Sequence, residues 1–261
     1  MIRIKTSRQL AGIRESCRLL GTVLETLESS VAPGITTEYL DEIARREISA
    51  LGGTPAFLGY QGFPGALCTS INEEVIHGIP GRRRLNSGDV VTIDCGIIYD
   101  GYYSDSAVTV PVGAIAPEVE RLLRVTRHAL EEGILAASRG NRVNDISRAI
   151  FQIIRENGYG VVRPYCGHGV GLAIHEDPQI PNYVGRGPNP RLKAGMVIAV
   201  EPMVNMGRDE IEVLEDDWTV VTADRSISAH FEHTLAIFND RTEVLTRRNS
   251  ELLHSTAEVS A

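Results

Sequence analysis

Aromatic residues make up only 5% of the 261-residue chain, and there is one tryptophan, Trp218. Long apolar runs are absent. None approaches the ~20 residues that a membrane-spanning helix needs, which excludes a helical membrane protein. Cysteine is scarce: Cys17, Cys68, Cys95 and Cys166 form no C-x-x-C pair, so a zinc ribbon or thioredoxin-type motif is not expected. Concentrated positive charge is also missing. The net charge is -8 and no basic stretch exceeds Arg82-Arg83-Arg84, which argues against nucleic acid as the main ligand. Met1 to Gln9 carries charges without an apolar stretch, so no secretory signal is expected. The cytoplasm is the expected compartment, and there the thiols stay free.

What is present is an ordinary globular balance, 43% hydrophobic and 23% charged, with helical and strand periodicities in alternation. Leu10, Ile13, Leu20, Leu24 and Leu27 predict a helix over about 7–30, with Ser7 as its cap and Pro33-Gly34 as its stop. Further helices are predicted over about 37–51, 117–139 and 144–157. Strands are predicted over 90–95, 102–110, 197–200, 218–222 and 232–238, which are rich in Val, Ile and aromatics.

An internal repeat organises these elements. Leu85-x-x-Gly88-x-Val90-x-x-x-Asp94 recurs as Leu192-x-x-Gly195-x-Val197-x-x-x-Glu201, and Gly34 and Leu40 recur as Gly140 and Ile146. A duplicated α+β half is the reading: one catalytic domain over 1–250, with halves at about 5–115 and 116–245. Residues 251–261 read as a flexible tail. Each half ends its matching strand on an acid.

The acids carry the chemistry. Asp100-Gly101 between two β-rich runs signals a two-residue hairpin. Counting back from that turn, Tyr99 faces Tyr102, Gly96 faces Asp105 and Asp94 faces Ala107. Asp94 and Asp105 then lie diagonally on one face, able to converge on one ion. The repeat brings Glu201 toward Asp94, and Glu232 lies in a further strand. Four carboxylates so placed repel unless cations are supplied, and two divalent ions balance their charge. Oxygen donors with one imidazole suit manganese, iron, cobalt or zinc. That imidazole is assigned to His168, because Gly167, Gly169 and Gly171 around it allow close backbone approach.

The segments Phe57–Pro64, Ser70–Pro80, Ile93–Gly96 through Asp105, Gly167–Gly171 with His175-Glu-Asp-Pro178, and Glu201-Pro202 together resemble the type I methionine aminopeptidases, in the short bacterial form, of the pita-bread metallopeptidases. The resemblance covers about residues 5–245. It implies an α+β fold of two pseudo-symmetric halves, with a central antiparallel sheet covered by helices. It also implies the metal roles: Asp94 on one ion, His168 and Glu201 on the other, Asp105 and Glu232 bridging. His77 and His175 match the histidines that steer substrate and, with Glu201, form the implied catalytic set. Tyr60, Phe63, Cys68, Met203 and Trp218 match a pocket for the methionine side chain. Asn72, Glu74 and Ser228 match a monovalent-cation site of some relatives. The sequence departs from the pattern at Phe57, at Ile174 and at His230, where glutamine is common; no chemistry is assigned to His230 or to His233.

The function so implied is removal of the initiator methionine from nascent polypeptides by metal-activated water. The enzyme is expected to be a monomer working near the ribosome, without binding nucleic acid directly or a membrane. Two alternatives stand beside it, a proline-directed aminopeptidase of the same fold and a non-enzymatic binding protein on that fold.

Overall fold

The computed structural model describes residues 1–248; the tail expected over 251–261 lies outside the described residues. Four helices carry one layer: α1 (Ser7–Ser30), α2 (Thr37–Ala50), α3 (Pro117–Ala136) and α4 (Val143–Glu156). α1 is capped by Thr6 and not by Ser7. The Thr6 side chain accepts the Gln9 N–H while the Gln9 side chain accepts the Thr6 N–H, a reciprocal box that Ser7 is one position too late to make. α2 is capped by Thr36, whose side chain accepts the Tyr39 N–H. α3 stops three residues short of its predicted end, where the Ala137 N–H turns back to the Ile134 carbonyl.

The strands form antiparallel sheets under this layer. The hairpin Val90–Tyr99 with Tyr102–Pro111 runs in unbroken register for ten pairs, among them Tyr99 with Tyr102, Gly96 with Asp105 and Asp94 with Ala107. Its turn residues, Asp100 and Gly101, both have positive φ, 48° and 77°, the twist that joins two strands through two residues. Leu67–Ile71 flanks it on the other side and places Cys68 opposite Asp94. The second-half sheet orders Thr242–Val244, His233–Ile237, Val197–Val200, Gly167–Gly169 and Glu176–Ile180. Two smaller three-stranded sheets complete the fold.

The halves share their local wiring. The Gly34 N–H binds the Leu85 carbonyl, and the Gly140 N–H binds the Leu192 carbonyl. The Arg84 guanidinium binds the Gly34 carbonyl, and that of Arg191 binds the Gly140 carbonyl. Isolated bridges pair Thr36 with Arg84 and Arg142 with Arg191. α1 packs across the hairpin and α3 packs on α4 and on the strand Ser228–His230. One large apolar core joins both helix pairs to both sheets.

Two strand expectations shift. The strand predicted from Trp218 starts at Val220, because the Asp216 carboxylate captures the Trp218 and Thr219 N–H groups in a local turn. The strand predicted from Glu232 starts at His233. Glu232 instead gives its N–H to the Ala107 carbonyl of the hairpin, and Ser106 Oγ donates to the Glu232 carbonyl. That break ties the second half onto the first at the acids.

Candidate metal centre

The acids converge from four pieces of backbone. Asp94 and Asp105 come from facing strands of the hairpin, Glu201 follows Val197–Val200, and Glu232 fills the break before His233–Ile237. The strand pairing of His233 with Val200 brings the last two together. His168 enters from Gly167–Gly169, which pairs on both sides. A Cβ at Gly167 would lie 2.4 Å from the Ala199 carbonyl oxygen, and one at Gly169 would lie 2.2 Å from the Asp177 carbonyl oxygen. Only glycine lets this strand sit close enough to aim His168 at the acids.

All five predicted ligands line one cavity of about 730 Å³. Donor atoms of Asp105, His168 and Glu232 lie within 4.8 Å of one another. His168 Nε2 is 3.8 Å from Asp105 Oδ2 and 3.5 Å from Glu201 Oε1. Its Nδ1 is 3.0 Å from the Gly169 carbonyl, a contact that places the N–H on Nδ1 and leaves Nε2 with a free lone pair.

The electrostatics are those of a site built around cations. Burial pushes the Asp94 carboxyl up to about 7. Burial and then the Asp94 charge push Glu201 up to about 8. Asp105 is raised well above the ordinary range by burial and by Asp94 and Glu201. Glu232 is raised likewise, by burial and by Asp105, Glu201 and Asp94. Burial lowers His168 to about 3, so the ring is a neutral donor. Asp94 Oδ1, Asp105 Oδ1 and Glu232 Oε1 are buried without a hydrogen-bond partner. Buried carboxylate oxygens left so are costly, and divalent cations would satisfy them; the donor set fits such ions.

The predicted substrate residues border the same space. Tyr60, Phe63, Cys68, His77, His175 and Trp218 all line the cavity. Phe63 and Trp218 meet edge to face at 5.1 Å. His175 meets His168 edge to face at 4.4 Å between ring centres, and its Nδ1 is 2.9 Å from the Tyr60 hydroxyl. Burial lowers His77 to about 4, and the residue holds a positive φ of 61°, which a non-glycine adopts at a cost of about 1–3 kcal/mol. Met203 is not in the cavity wall. It packs one layer behind, with Val75, Ile76, Val162 and Val220. Ile174 is also buried away from the cavity, whereas Phe57 lines it.

Asn72 and Ser228 adjoin through the Ser228 N–H to the Asn72 carbonyl. The Glu74 carboxylate accepts the Ile71 N–H and pairs with Arg83.

Sequence reasoning missed several contributors. Glu176 is an anchor: buried Lys5 binds its Oε2 at 2.9 Å while its Oε1 accepts the Leu172 and Ala173 N–H groups, fixing the turn that presents His175. Tyr165 meets His77 edge to face at 5.5 Å. Neither residue type signals such a role without the fold. His230 was assigned no chemistry, yet its Nε2 lies 3.7 Å from Glu201 Oε2. Its two-residue spacing from Glu232 was the only available signal. His233 points away, to the Thr246 hydroxyl.

A buried set of four acids and one imidazole beside a deep cavity defines a metallohydrolase site, and the chain belongs to metallopeptidase family M24, whose profile matches residues 11–238. Within that family its similarity is to methionine aminopeptidases. It is 52% identical over 247 residues to the methionine aminopeptidase of Treponema pallidum, covering 94% of this chain and 96% of that one. It is 48% identical to methionine aminopeptidase 1 of Bacillus subtilis, covering 95% and 100%. The crystal structure of methionine aminopeptidase from Rickettsia prowazekii superposes with a TM-score of 0.92 at 39% identity, covering 95% and 100%. The fold is the α+β pita-bread fold of these structures, and the chain is a metal-dependent hydrolase. Among the described residues no helix is long and apolar enough to cross a membrane.

Proposed function

We propose that this enzyme removes the N-terminal methionine of polypeptides, using two divalent ions held by Asp94, Asp105, His168, Glu201 and Glu232. The observation that carries this reading is the cavity itself, lined by the five donors, of which Asp105, His168 and Glu232 are buried and Asp94 and Glu201 half-buried, together with Phe63, Trp218 and Cys68. The apolar residues of the cavity take an unbranched, uncharged side chain. Methionine suits such a wall because it is flexible and its sulfur contacts aromatic edges favourably. The ions when bound acidify a water and polarise the scissile carbonyl. Manganese, iron, cobalt and zinc all suit the donor set.

The protein groups divide the remaining work. His77 and His175 are neutral and can donate an N–H to the carbonyl oxygen as it gains charge. Tyr60 holds the second ring nitrogen of His175, which sets the ring's direction. Glu201 lines the cavity 3.5 Å from His168 Nε2, so it is placed to take the proton of the attacking water and return it to the leaving amine. All four cysteines are unpaired, which supports action in the reducing cytoplasm, and the substrates there are nascent polypeptides near the ribosome. The duplicated wiring of the helix pairs supports one catalytic domain made of two halves.

The test is Met-Ala-Ser hydrolysis with each metal in turn, by the wild type and by Glu201→Gln. Wild-type turnover is expected to need metal, and Glu201→Gln is expected to lose turnover while retaining its fold by circular dichroism. Near-wild-type turnover by Glu201→Gln would remove Glu201 from the mechanism. Cleavage of X-Pro peptides in preference to Met-Ala-Ser would move the enzyme to the proline-directed class.

A further inference from the structure

The Glu201 carboxylate lies between two imidazoles. Its Oε1 is 3.5 Å from His168 Nε2 and its Oε2 is 3.7 Å from His230 Nε2. His168 belongs to the donor group with Asp105 and Glu232, and His230 does not. The His230 side chain is 1% exposed, and both its ring nitrogens are buried without a hydrogen-bond partner. An imidazole always carries at least one N–H, and a buried donor left unmet is costly.

Both sides of this gap are anchored. Thr109 Oγ1 accepts the His230 N–H at 2.9 Å and donates to the His230 carbonyl at 2.8 Å. His230 is also in strand register with Met203. On the other side, Asn182 Nδ2 donates to the Glu201 carbonyl at 2.9 Å, and Pro202 follows. The backbones are therefore held, and only side-chain rotation is needed to shorten the gap to the roughly 2.7–2.9 Å of a charge-assisted hydrogen bond. Oxygen Oε1 faces the metal-site imidazole, so Oε2 is the oxygen available to a second partner.

We propose that His230 is a positioning residue for Glu201: its Nε2–H donates to Glu201 Oε2 and fixes the carboxylate so that Oε1 faces the metal site. This rests on the reading of Glu201 as a metal ligand and proton carrier. The partner imidazole restricts rotation of the carboxylate, and a ligand held in place binds its ion more tightly than one that must be ordered first. Glutamine can offer a neutral N–H from the same position, whereas leucine fills similar space without a donor.

Three measurements test the proposal. Calorimetric binding of Mn²⁺ alone is compared for the wild type, His230→Gln and His230→Leu, with thermal unfolding of each metal-free protein as the control for folding. His230→Leu is expected to bind Mn²⁺ about 10–100-fold more weakly, with no fall in metal-free unfolding temperature, and His230→Gln is expected to recover most of the loss. Proton–nitrogen NMR of the wild type loaded with Zn²⁺ is expected to show a slowly exchanging His230 Nε2–H. Wild-type-like Mn²⁺ affinity in His230→Leu would overturn the proposal, leaving His230 a packing residue. Loss of the Nε2–H signal on Zn²⁺ loading would overturn it in favour of direct ligation. Absence of metal binding by the wild type would overturn the underlying site reading and the proposal with it. The NMR measurement uses the unaltered protein, so it decides the question even if His230→Leu fails to fold.

Discussion

His77 and His175 line the cavity beside the proposed ligands, and their role as donors to the substrate carbonyl separates their expected effects from those of the ligands. His175 packs edge to face with the His168 ring, and its Nδ1 is taken up by the Tyr60 hydroxyl. His175→Ala is therefore expected to lower kcat about 10²–10³-fold, the cost of one oxyanion donor, with Mn²⁺ affinity nearly unchanged. Kinetics at saturating metal and calorimetry on the same preparation check this, and a parallel fall in both would make His175 part of the metal site. The four acids were legible from charge, spacing and the repeat, because their mutual repulsion needs an explanation at sequence level. His230 was not legible: nothing in a sequence says that a ring will be buried with neither nitrogen paired. Met203 illustrates the same limit, since a pattern match gives no depth, and the side chain lies behind the wall it was assigned to.

At the level of elements, the strand that carries His168 depends on closeness that only glycine permits. A Cβ on Gly169 meets backbone, the Asp177 carbonyl oxygen at 2.2 Å, and backbone cannot give way as a flexible side-chain end can. Gly169→Ala is expected to destabilise the protein by about 1–3 kcal/mol through overpacking and to weaken Mn²⁺ binding, because the shift moves His168. Gly187→Ala, with nothing within 4 Å of the new Cβ and no positive φ, is the control and should leave both unchanged. Thermal unfolding with and without Mn²⁺ measures the two effects. The hairpin was readable residue by residue because Asp-Gly fixes its turn and register follows from counting. The strand Leu67–Ile71 was not predicted, since it is buried on both faces and shows no alternation to read. The first helix starts where predicted, but its cap was off by one, because the reciprocal Thr6–Gln9 box decides it.

Across the whole molecule, the metal site is also the junction between the halves, so its ionisation bears on the stability of the entire fold. Asp94 and Asp105 come from the first half, and His168, Glu201 and Glu232 from the second. In the metal-free protein Asp94 titrates near about 7 and Glu201 near about 8, against ordinary values of 3.8 and 4.5. Between those limits the folded chain holds protons that the unfolded chain has released. Stability from these groups is thus full below the unfolded values and is lost as pH rises toward the folded ones. The slope is on the order of 1.4 kcal/mol per pH unit for each group. Chelated protein is therefore expected to unfold at progressively lower temperature from about pH 5 to about pH 8. Divalent ions oppose the same repulsion and bind only the folded arrangement, adding about 2.7 kcal/mol at a hundredfold excess over Kd. Because the ligands must be deprotonated to bind, that gain grows with pH. Saturating Mn²⁺ should then flatten or reverse the trend. Scanning calorimetry across this range, with and without Mn²⁺, checks both limbs. A metal-free unfolding temperature that rises with pH would mean that the four acids do not face one another as placed here.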